Sequence, residues 1–158
     1  MNWMIAPDPS VVRSRKALDW SRSIILRQTA VNPVSPYTYE SAADARYVLT
    51  FKCEIDKWIE FYYRYQDDNN RYALQQDSDT GDLYVIKRVA GSPTILFLSP
   101  AFFVDTEDYE VVIEAHGQNH LYFVNGALVF ARTDPMLPSE PGLKFYHNYT
   151  DITLRVYS

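Results

Sequence analysis

The fold is decided by the stretch Trp58-Ile59-Glu60-Phe61-Tyr62-Tyr63-Arg64-Tyr65-Gln66. It is followed by the polar residues Asp67-Asp68-Asn69-Asn70 and then by a second aromatic run, Arg71-Tyr72-Ala73-Leu74-Gln75-Gln76. Branched and aromatic side chains favour strands, and Asp and Asn favour turns. The stretch therefore predicts a β-hairpin. Residues 109–116 and 120–124, joined by Gly117-Gln118-Asn119, predict a second one.

The same period-two alternation runs through most of the chain. In 58–66 it places Ile59, Phe61, Tyr63 and Tyr65 in the core. Eleven strands are predicted, at 21–28, 46–54, 58–66, 71–77, 82–89, 94–98, 109–116, 120–124, 127–132, 142–147 and 152–157. Turn residues separate them at the spacing typical of a sandwich. We therefore expect an all-β chain that forms a two-sheet antiparallel jelly-roll β-sandwich.

Length and composition predict one domain. A chain of 158 residues with 47% hydrophobic residues can bury a single core. Residues 1–20, with Pro7 and Pro9, are expected to form an N-terminal arm that includes a short helical turn, and 21–158 the sandwich domain. Residues 29–44 are expected to form a loop, and Phe102 and Phe103 to be exposed in another.

Charge and cysteine content exclude some classes of function. The net charge is −5 and the cations are scattered, so nucleic-acid binding is not expected. Cys53 is the single cysteine and is predicted to be a buried thiol. No signal peptide is recognised in residues 1–10, and no apolar run approaches the length of about 20 residues that spans a bilayer. We expect a soluble protein without membrane insertion; its compartment stays open, with the extracellular space and a virion surface both allowed.

Several segments resemble the concanavalin A-like lectin/glucanase jelly roll, especially its laminin-G-like and sugar-binding members. Residues 60–72 are similar to the family hairpin F-R-Y-x-D-x-x-N-x-Y. Residues 109–117 and 121–126 are similar to the pair Y-x-V-x-I-x-x-x-G and I-x-V-Y-V-N-G, and 142–145 with 151–157 to the closing strands. The resemblance implies two antiparallel sheets, of which the concave one usually holds the ligand. It does not select among lectins, carbohydrate-binding modules, glycosidases, lyases, adhesion domains and virion proteins.

A sugar site needs aromatic platforms for the apolar sugar face and planar polar side chains for the hydroxyls. One set of side chains, assigned to the outward face of the predicted hairpins, offers both. It consists of Trp58, Glu60, Tyr62, Arg64, Arg71, Gln75 and Lys87. The alternative is an ordinary solvated face with Glu–Arg pairs across strands.

A catalytic interpretation rests on Glu54, Asp56 and Glu60, which resemble the E-x-D-x-x-E strand of laminarinase-type glycosidases. Those enzymes place two carboxylates across the scissile bond. Here the last Glu comes one residue too late, and the segment falls where a turn is expected. No catalytic residue is assigned, and the chain is interpreted as a non-enzyme in preference to a hydrolase.

Two acidic positions are candidates for calcium. The oxygens of Asp67-Asp68-Asn69-Asn70 could bind Ca²⁺, but the same residues are turn formers. Asp151 is the better candidate, because the resemblance implies a structural calcium near the last strand. His116, His120 and His147 lack the spacing of a metal site.

Three functions follow, in order of preference. The first is a non-catalytic carbohydrate-binding, lectin-like module that binds a glycan or glycoconjugate on its concave sheet. The second is a structural adhesion or virion-surface protein, of the capsid-decoration type, that acts through subunit contacts in a homo-oligomer or capsid-type assembly. The third is a glycoside hydrolase of laminarinase type.

Overall fold

The computed structural model describes residues 3–6, 23–28, 37–40 and 43–157, with side chains for 43–157. Thirteen strands lie within these ranges. They are β1 (Trp3–Ala6), β2 (Ser23–Gln28), β3 (Tyr37–Glu40), β4 (Ala45–Lys52), β5 (Ile59–Asp67), β6 (Asn70–Gln76), β7 (Leu83–Val89), β8 (Ser92–Ser99), β9 (Asp108–His116), β10 (Asn119–Val124), β11 (Ala127–Thr133), β12 (Gly142–His147) and β13 (Ile152–Tyr157). Among the described residues, no helix has the length and apolarity needed to cross a membrane.

The strands form two antiparallel sheets. The seven-stranded sheet has the order β1-β2-β13-β4-β9-β10-β11, and the six-stranded sheet has the order β3-β12-β5-β6-β7-β8. Both hairpins predicted from the sequence are confirmed, as β5–β6 and β9–β10. The chain crosses repeatedly between the sheets, which produces the predicted two-sheet sandwich.

All eleven predicted strands occur, and two short edge strands were not predicted. β1 lies within the predicted N-terminal arm and pairs with β2, so part of that arm belongs to the sheet. β3 lies within the predicted loop 29–44 and pairs with β12. Each has four residues, too few for alternation to be recognised. The rest of the arm, including its predicted helical turn, lies outside the described residues.

The core between the sheets is rich in aromatic rings. Tyr47 packs edge-on against Phe61 with ring centroids 5.1 Å apart. Phe51 contacts Phe103 at 5.6 Å. Phe103 is 2% exposed, so its predicted exposure is wrong; the turn before β9 folds this ring back into the core. Cys53 is buried, as predicted.

A hydrogen-bonded group of polar side chains joins the two sheets near one end of the core. We call Tyr63, Tyr72, His120, Tyr122 and Asp134 the inner tyrosine network. The Tyr122 hydroxyl donates to the Tyr63 hydroxyl at 2.5 Å, which lies 2.8 Å from Nδ1 of His120. The Tyr72 hydroxyl donates to Oδ1 of Asp134 at 2.9 Å. All five side chains are at least 98% buried, so these bonds replace those that water would make.

A β-bulge at Arg64 interrupts β5. The register with β6 and with β12 shifts at this point, and Arg64 has a φ of 45°. Residue Gly142 of β12 faces the bulge, where a Cβ would overlap the carbonyl oxygen of Tyr65. The bulge turns Tyr65 outward. Its predicted place in the core is therefore wrong, because strict alternation assumes an unbroken strand.

Candidate functional site

The face of the six-stranded sheet that points away from the core is the candidate site, and we call it the outer face. Residues directly opposite one another on antiparallel strands share a face. The strand register therefore sorts the side chains into three rows that cross the sheet. The first is Tyr146, Glu60, Gln75, Tyr84 and Leu98, and the second is Lys144, Tyr62, Ala73, Ile86 and Ile95. The third row is interrupted by the bulge in β5 and consists of Gly142 with Tyr65 on one side and Arg71, Arg88 and Pro93 on the other.

A groove of about 460 Å³ lies over the first two rows. Its lining combines apolar surface with carboxylate, amide and hydroxyl groups. The lining residues are Trp58, Glu60, Gln75, Gln76, Asp77, Ser78, Tyr84, Ile86 and Ile95. A volume of this size suits a small organic ligand.

The polar groups of the groove differ in how far the protein already uses them. Oδ1 of Asp77 accepts hydrogen bonds from the backbone nitrogens of Asp79 and Thr80 at 2.8 and 3.0 Å. These bonds lower the pKa of Asp77 and tie its carboxylate to the turn. Oε2 of Glu60 accepts one bond, from the Tyr62 hydroxyl at 2.6 Å. A carboxylate can accept several, so Glu60 keeps acceptor capacity for a ligand.

Gln75 stands directly opposite Glu60 and adds an amide that can both donate and accept. Beside these two polar groups, Trp58 and Tyr84 are partly exposed. Ile95 on the edge strand β8 is 57% exposed. The groove thus combines a polar floor with aromatic and aliphatic walls.

Next to the groove lies a group of tyrosines and cations, which we call the outer cationic cluster: Tyr62, Tyr65, Arg71, Arg88, Lys144 and Tyr146. The Tyr62 and Tyr65 rings stack with centroids 6.2 Å apart and an interplanar angle of 11°. The guanidinium of Arg71 lies 4.2 Å from the centroid of the Tyr62 ring. Nζ of Lys144 lies 5.2 Å from the ring of Tyr65 and 5.1 Å from that of Tyr146. These are cation–π distances, which hold the rings and charges in place.

Two pKa values in the outer cationic cluster are displaced. Burial raises the pKa of Tyr62, and the hydrogen bond to Glu60 raises it further. Burial opposes the charge of Lys144, but bonds with Tyr146, Asp68 and Tyr65 outweigh it and raise its pKa. Tyr62 is therefore a neutral donor and Lys144 a cation near neutral pH.

The structure brings together five of the seven residues proposed for the sugar site. Trp58, Glu60 and Gln75 line the groove. Tyr62 and Arg71 lie beside it in the outer cationic cluster.

Arg64 does not lie on the outer face. Its side chain is fully buried; Nε donates to the carbonyl oxygen of Ala43 at 3.2 Å and Nη2 to Asp44 at 3.4 Å. The bulge places Arg64 on the same side of β5 as Tyr63, where the unbroken alternation expected from the sequence placed it outward.

Lys87 does not lie on the outer face either. It stands opposite Tyr72 on the inner side of the sheet, and Nζ donates to Oδ2 of Asp134 at 2.8 Å. The alternation of β7 assigns Lys87 to the same side as Leu83 and Val85. The sequence therefore contained the signal that excludes it from the outward set.

Several residues of the outer face were not proposed from the sequence. Alternation in β7 places Tyr84, Ile86 and Arg88 on one face, but it does not indicate that this face adjoins Glu60 and Gln75. Ile95 reaches the groove because the pairing of β8 with β7 shifts in register between Val85 and Ile86. The shift places Ile95 opposite Ile86. Lys144 and Tyr146 come from a strand about 80 positions later in the chain, which joins β5 only in the tertiary structure.

The carboxylates proposed for a hydrolase are not on one strand. Glu54 and Asp56 lie in the turn between β4 and β5, where the backbone nitrogen of Lys57 bonds to the carbonyl oxygen of Glu54 at 3.0 Å. Glu60 alone of the three lies on a strand of the outer face. This arrangement does not reproduce the E-x-D-x-x-E strand.

The acidic positions predicted to bind calcium lie at turns. Asp67 is used by its own turn, where Oδ1 accepts from the Asn69 backbone nitrogen at 2.7 Å and from Asn70 at 3.1 Å. Asp151 is exposed in the turn before β13. Among the residues that the structure describes, no three His, Cys, Asp or Glu side chains converge as a metal site. Calcium binding at Asp151 stays a prediction.

Solved structures share this architecture. The chain is similar to galectin LEC-6 of Caenorhabditis elegans, with a TM-score of 0.62, 14% identity, and coverage of 80% of this chain and 94% of that one. It is also similar to carbohydrate-binding module CBM66 of Bacillus subtilis, with a TM-score of 0.55, 12% identity, and coverage of 86% and 82%. A third similar structure is that of a native glycosidic hydrolase, with a TM-score of 0.53, 13% identity, and coverage of 99% of this chain and 89% of that one.

No protein-family model and no curated protein sequence matches the chain. The structural matches establish the fold, which is the concanavalin A-like jelly-roll β-sandwich that the sequence motifs resembled. They leave function to be argued from the groove itself.

Proposed function

We propose that this protein is a non-catalytic carbohydrate-binding, lectin-like module whose ligand lies in the groove of the outer face. The observation that carries the proposal is the composition of that groove. Glu60 and Gln75 stand side by side as acceptor and donor, flanked by the partly exposed Trp58 and Tyr84. Sugar hydroxyls need such paired polar groups, and the apolar face of a sugar ring needs an aromatic or aliphatic platform.

The names of two structural neighbours support the same class of ligand. One is described as a carbohydrate-binding module and the other as a galectin. Their identity to this chain is 12% and 14%, so they support the class and not a particular glycan.

The glycosidic hydrolase among the neighbours keeps hydrolysis as an alternative. A glycosidase needs a pair of carboxylates with different protonation states. The groove has the carboxylates of Glu60 and Asp77, and the oxygen Oδ1 of Asp77 is occupied by the turn 77–80. Binding without turnover is the better match to this geometry.

The first experiment is affinity electrophoresis through gels that contain single polysaccharides, with calcium or with EDTA. We expect retardation by at least one polysaccharide, and loss of most of it in Glu60→Gln and Gln75→Ala. Glu110→Gln is the matched control, because Glu110 is exposed on the other sheet. Equal retardation of all variants contradicts the groove as the site, and release of reducing sugar would support the hydrolase. Dependence on calcium that Asp151→Asn abolishes would support the calcium prediction.

A second candidate function, the structural adhesion or virion-surface protein, is favoured by the edges of the sandwich. Leu98 on β8 and Leu128 on β11 are 43% and 55% exposed. Between these two edge strands, the rings of Phe97 and Phe130 lie 5.3 Å apart. Exposed edges with apolar side chains favour pairing with another chain. Sedimentation velocity of the native protein and of Leu128→Asp tests this: an oligomer that Leu128→Asp dissociates supports it, and a monomer at all concentrations contradicts it.

A further inference from the structure

The third row of the outer face places two arginines at facing positions of neighbouring strands. Arg71 on β6 stands directly opposite Arg88 on β7. Like charges in this position repel and destabilise a sheet. Lys144 adds a third cation one row away, and the carboxylate that contacts it is Asp68, at 3.1 Å. The outer cationic cluster therefore carries more positive charge than the contacting carboxylate balances.

The two arginines also have unused hydrogen-bond donors. Nε and Nη1 of Arg71 and Nε of Arg88 are shielded from water and have no hydrogen-bond partner among the described residues. Nη1 of Arg88 donates to the carbonyl oxygen of Gly91 at 3.0 Å. A buried donor without a partner costs about 1–3 kcal/mol. Such a cost persists in a protein where another role compensates for it.

We propose that the saccharide bound on the outer face carries an anionic group, a carboxylate or a sulfate ester, that Arg71 and Arg88 hold. The guanidinium fork matches the paired oxygens of either group. An anion beside both arginines offsets their like charges, and it can approach them because both side chains are partly exposed on the outer face. This inference rests on the proposed carbohydrate function and names the class of glycan for it.

The position of the arginines defines how the ligand lies. Gln75 in the groove and Arg71 are four residues apart on β6, which is about 13 Å along a strand. That span exceeds one sugar ring. The ligand is therefore an oligosaccharide with a neutral unit in the groove and its charged unit over the third row. The stacked rings of Tyr62 and Tyr65 lie along this path.

The overall charge of the protein argues against unspecific attraction of polyanions. The net charge is −5, so long-range forces repel an anionic polymer. Recognition of an anionic sugar must then come from the local donors of Arg71 and Arg88. This distinguishes the inference from ordinary basic-surface binding, which needs a positively charged protein.

The test uses two pairs of probes in isothermal titration calorimetry. Oligogalacturonides are compared with their carboxyl-reduced, neutral counterparts, and chondroitin sulfate oligosaccharides with chemically desulfated ones. We expect the charged member of at least one pair to bind about tenfold or more tightly than its neutral counterpart. One to two charge-assisted hydrogen bonds contribute enough binding free energy for this difference. The pair that shows the preference distinguishes a carboxylate from a sulfate.

Variants locate the effect. Arg71→Gln and Arg88→Gln should bind charged and neutral members equally, and Arg71→Lys should lose part of the preference because it keeps the charge without the fork. Arg155→Gln is the matched control: Arg155 lies on the other sheet, and its Nε is also shielded and without a hydrogen-bond partner among the described residues. Thermal unfolding of each variant verifies folding, and Arg71→Lys provides the test if a glutamine variant does not fold.

Three outcomes would overturn the inference. The first is equal affinity for charged and neutral probes, combined with neutral binding that Glu60→Gln abolishes; the proposed function then stands and the anionic specificity fails. The second is binding of poly-glutamate as tight as that of the charged probes, which means that charge alone is recognised. The third is no binding of any probe, which contradicts this inference; if the polysaccharide gels also show no retardation, the proposed function fails with it.

Discussion

Tyr62 and Tyr63 are neighbours in the chain, yet they belong to two groups that use the same residue types in opposite ways. Tyr63 is fully buried in the inner tyrosine network, where its hydroxyl lies within 2.8 Å of both Tyr122 and His120. Tyr62 faces outward, packs under the guanidinium of Arg71 and donates to Glu60. Each group also contacts an ion pair, Lys87 with Asp134 at the inner tyrosine network and Lys144 with Asp68 at the outer cationic cluster.

The difference between the two groups lies in what is left unused. In the inner tyrosine network the hydroxyls and Asp134 are bonded to one another and to Lys87, because no water can replace a missing bond there. In the outer cationic cluster, donors of Arg71 and Arg88 remain without partners among the described residues. Nε2 of His120 in the inner tyrosine network also lacks a partner among the described residues, but that side chain is only 2% exposed. Arg71 and Arg88 are instead partly exposed on the outer face, where a ligand can approach them.

The largest expected effect is that of Asp134→Ala. Asp134 is 2% exposed and accepts from Tyr72 at 2.9 Å and from Lys87 at 2.8 Å. Its removal leaves Lys87, whose side chain is 18% exposed, without its carboxylate partner and should cost about 3 kcal/mol of unfolding free energy, the lower end of the range for a buried pair. Asp68→Ala, which removes an exposed partner of Lys144, should cost at most about 1 kcal/mol. Urea unfolding measures both, and similar losses would contradict the division between the two groups.

The next effect is a loss of stability in acid. Burial lowers the pKa of His120 to about 4, helped by Arg64, Arg132 and Lys87 and opposed by Asp134. Burial also lowers the pKa of His147 to about 4. An unfolded histidine has a pKa near 6.5, so between these values the unfolded chain binds protons that the folded chain does not. The contribution to stability is therefore complete above about pH 6.5 and is lost as the pH falls toward 4, by up to about 3 kcal/mol for each residue.

Urea unfolding between pH 7 and pH 4.5 measures the slope with which the unfolding free energy falls as the pH is lowered. His120→Gln and His147→Gln should each reduce it, and the double variant should reduce it most. A slope that neither substitution changes would mean that other groups cause the acid sensitivity.

A smaller effect comes from one substitution made at adjacent positions. Tyr63→Phe leaves the Tyr122 hydroxyl and Nδ1 of His120 without their buried partner and should cost about 1–3 kcal/mol. Tyr62→Phe removes one bond to Glu60, which water can reach in the groove, and should cost about 0.5–1 kcal/mol. Chemical denaturation compares them, and a larger loss for Tyr62→Phe would reverse the assignment of the two faces.

The smallest effect on stability is expected for Gln75→Ala. Gln75 is partly exposed on the outer face and should change the unfolding free energy by no more than about 0.5 kcal/mol. The same variant should lose most of its retardation by a polysaccharide. A stability change without a binding change would assign Gln75 to the scaffold.

Most strands of this fold could be predicted because alternation with period two is a local signal. The hairpin β5–β6 was recognised from its aromatic runs and its Asp-Asn turn, and the turn residues do bond to their own backbone. Trp58, Glu60 and Gln75 were proposed for the site on the same signal, and the structure places them in one groove. The short strands β1 and β3 have too few residues for this alternation to be recognised.

The sequence by itself determined the sandwich, its hairpins and the outward position of Glu60, Tyr62 and Gln75, because these follow from side-chain alternation within single strands. The tertiary structure decided what stands beside them. It buried Arg64 through a bulge, whose positive φ no alternation pattern reveals, and turned Tyr65 outward. It also brought Lys144 of β12 next to Tyr62. Pairing between distant strands depends on the whole core, so the groove and the outer cationic cluster emerge only when both sheets are assembled.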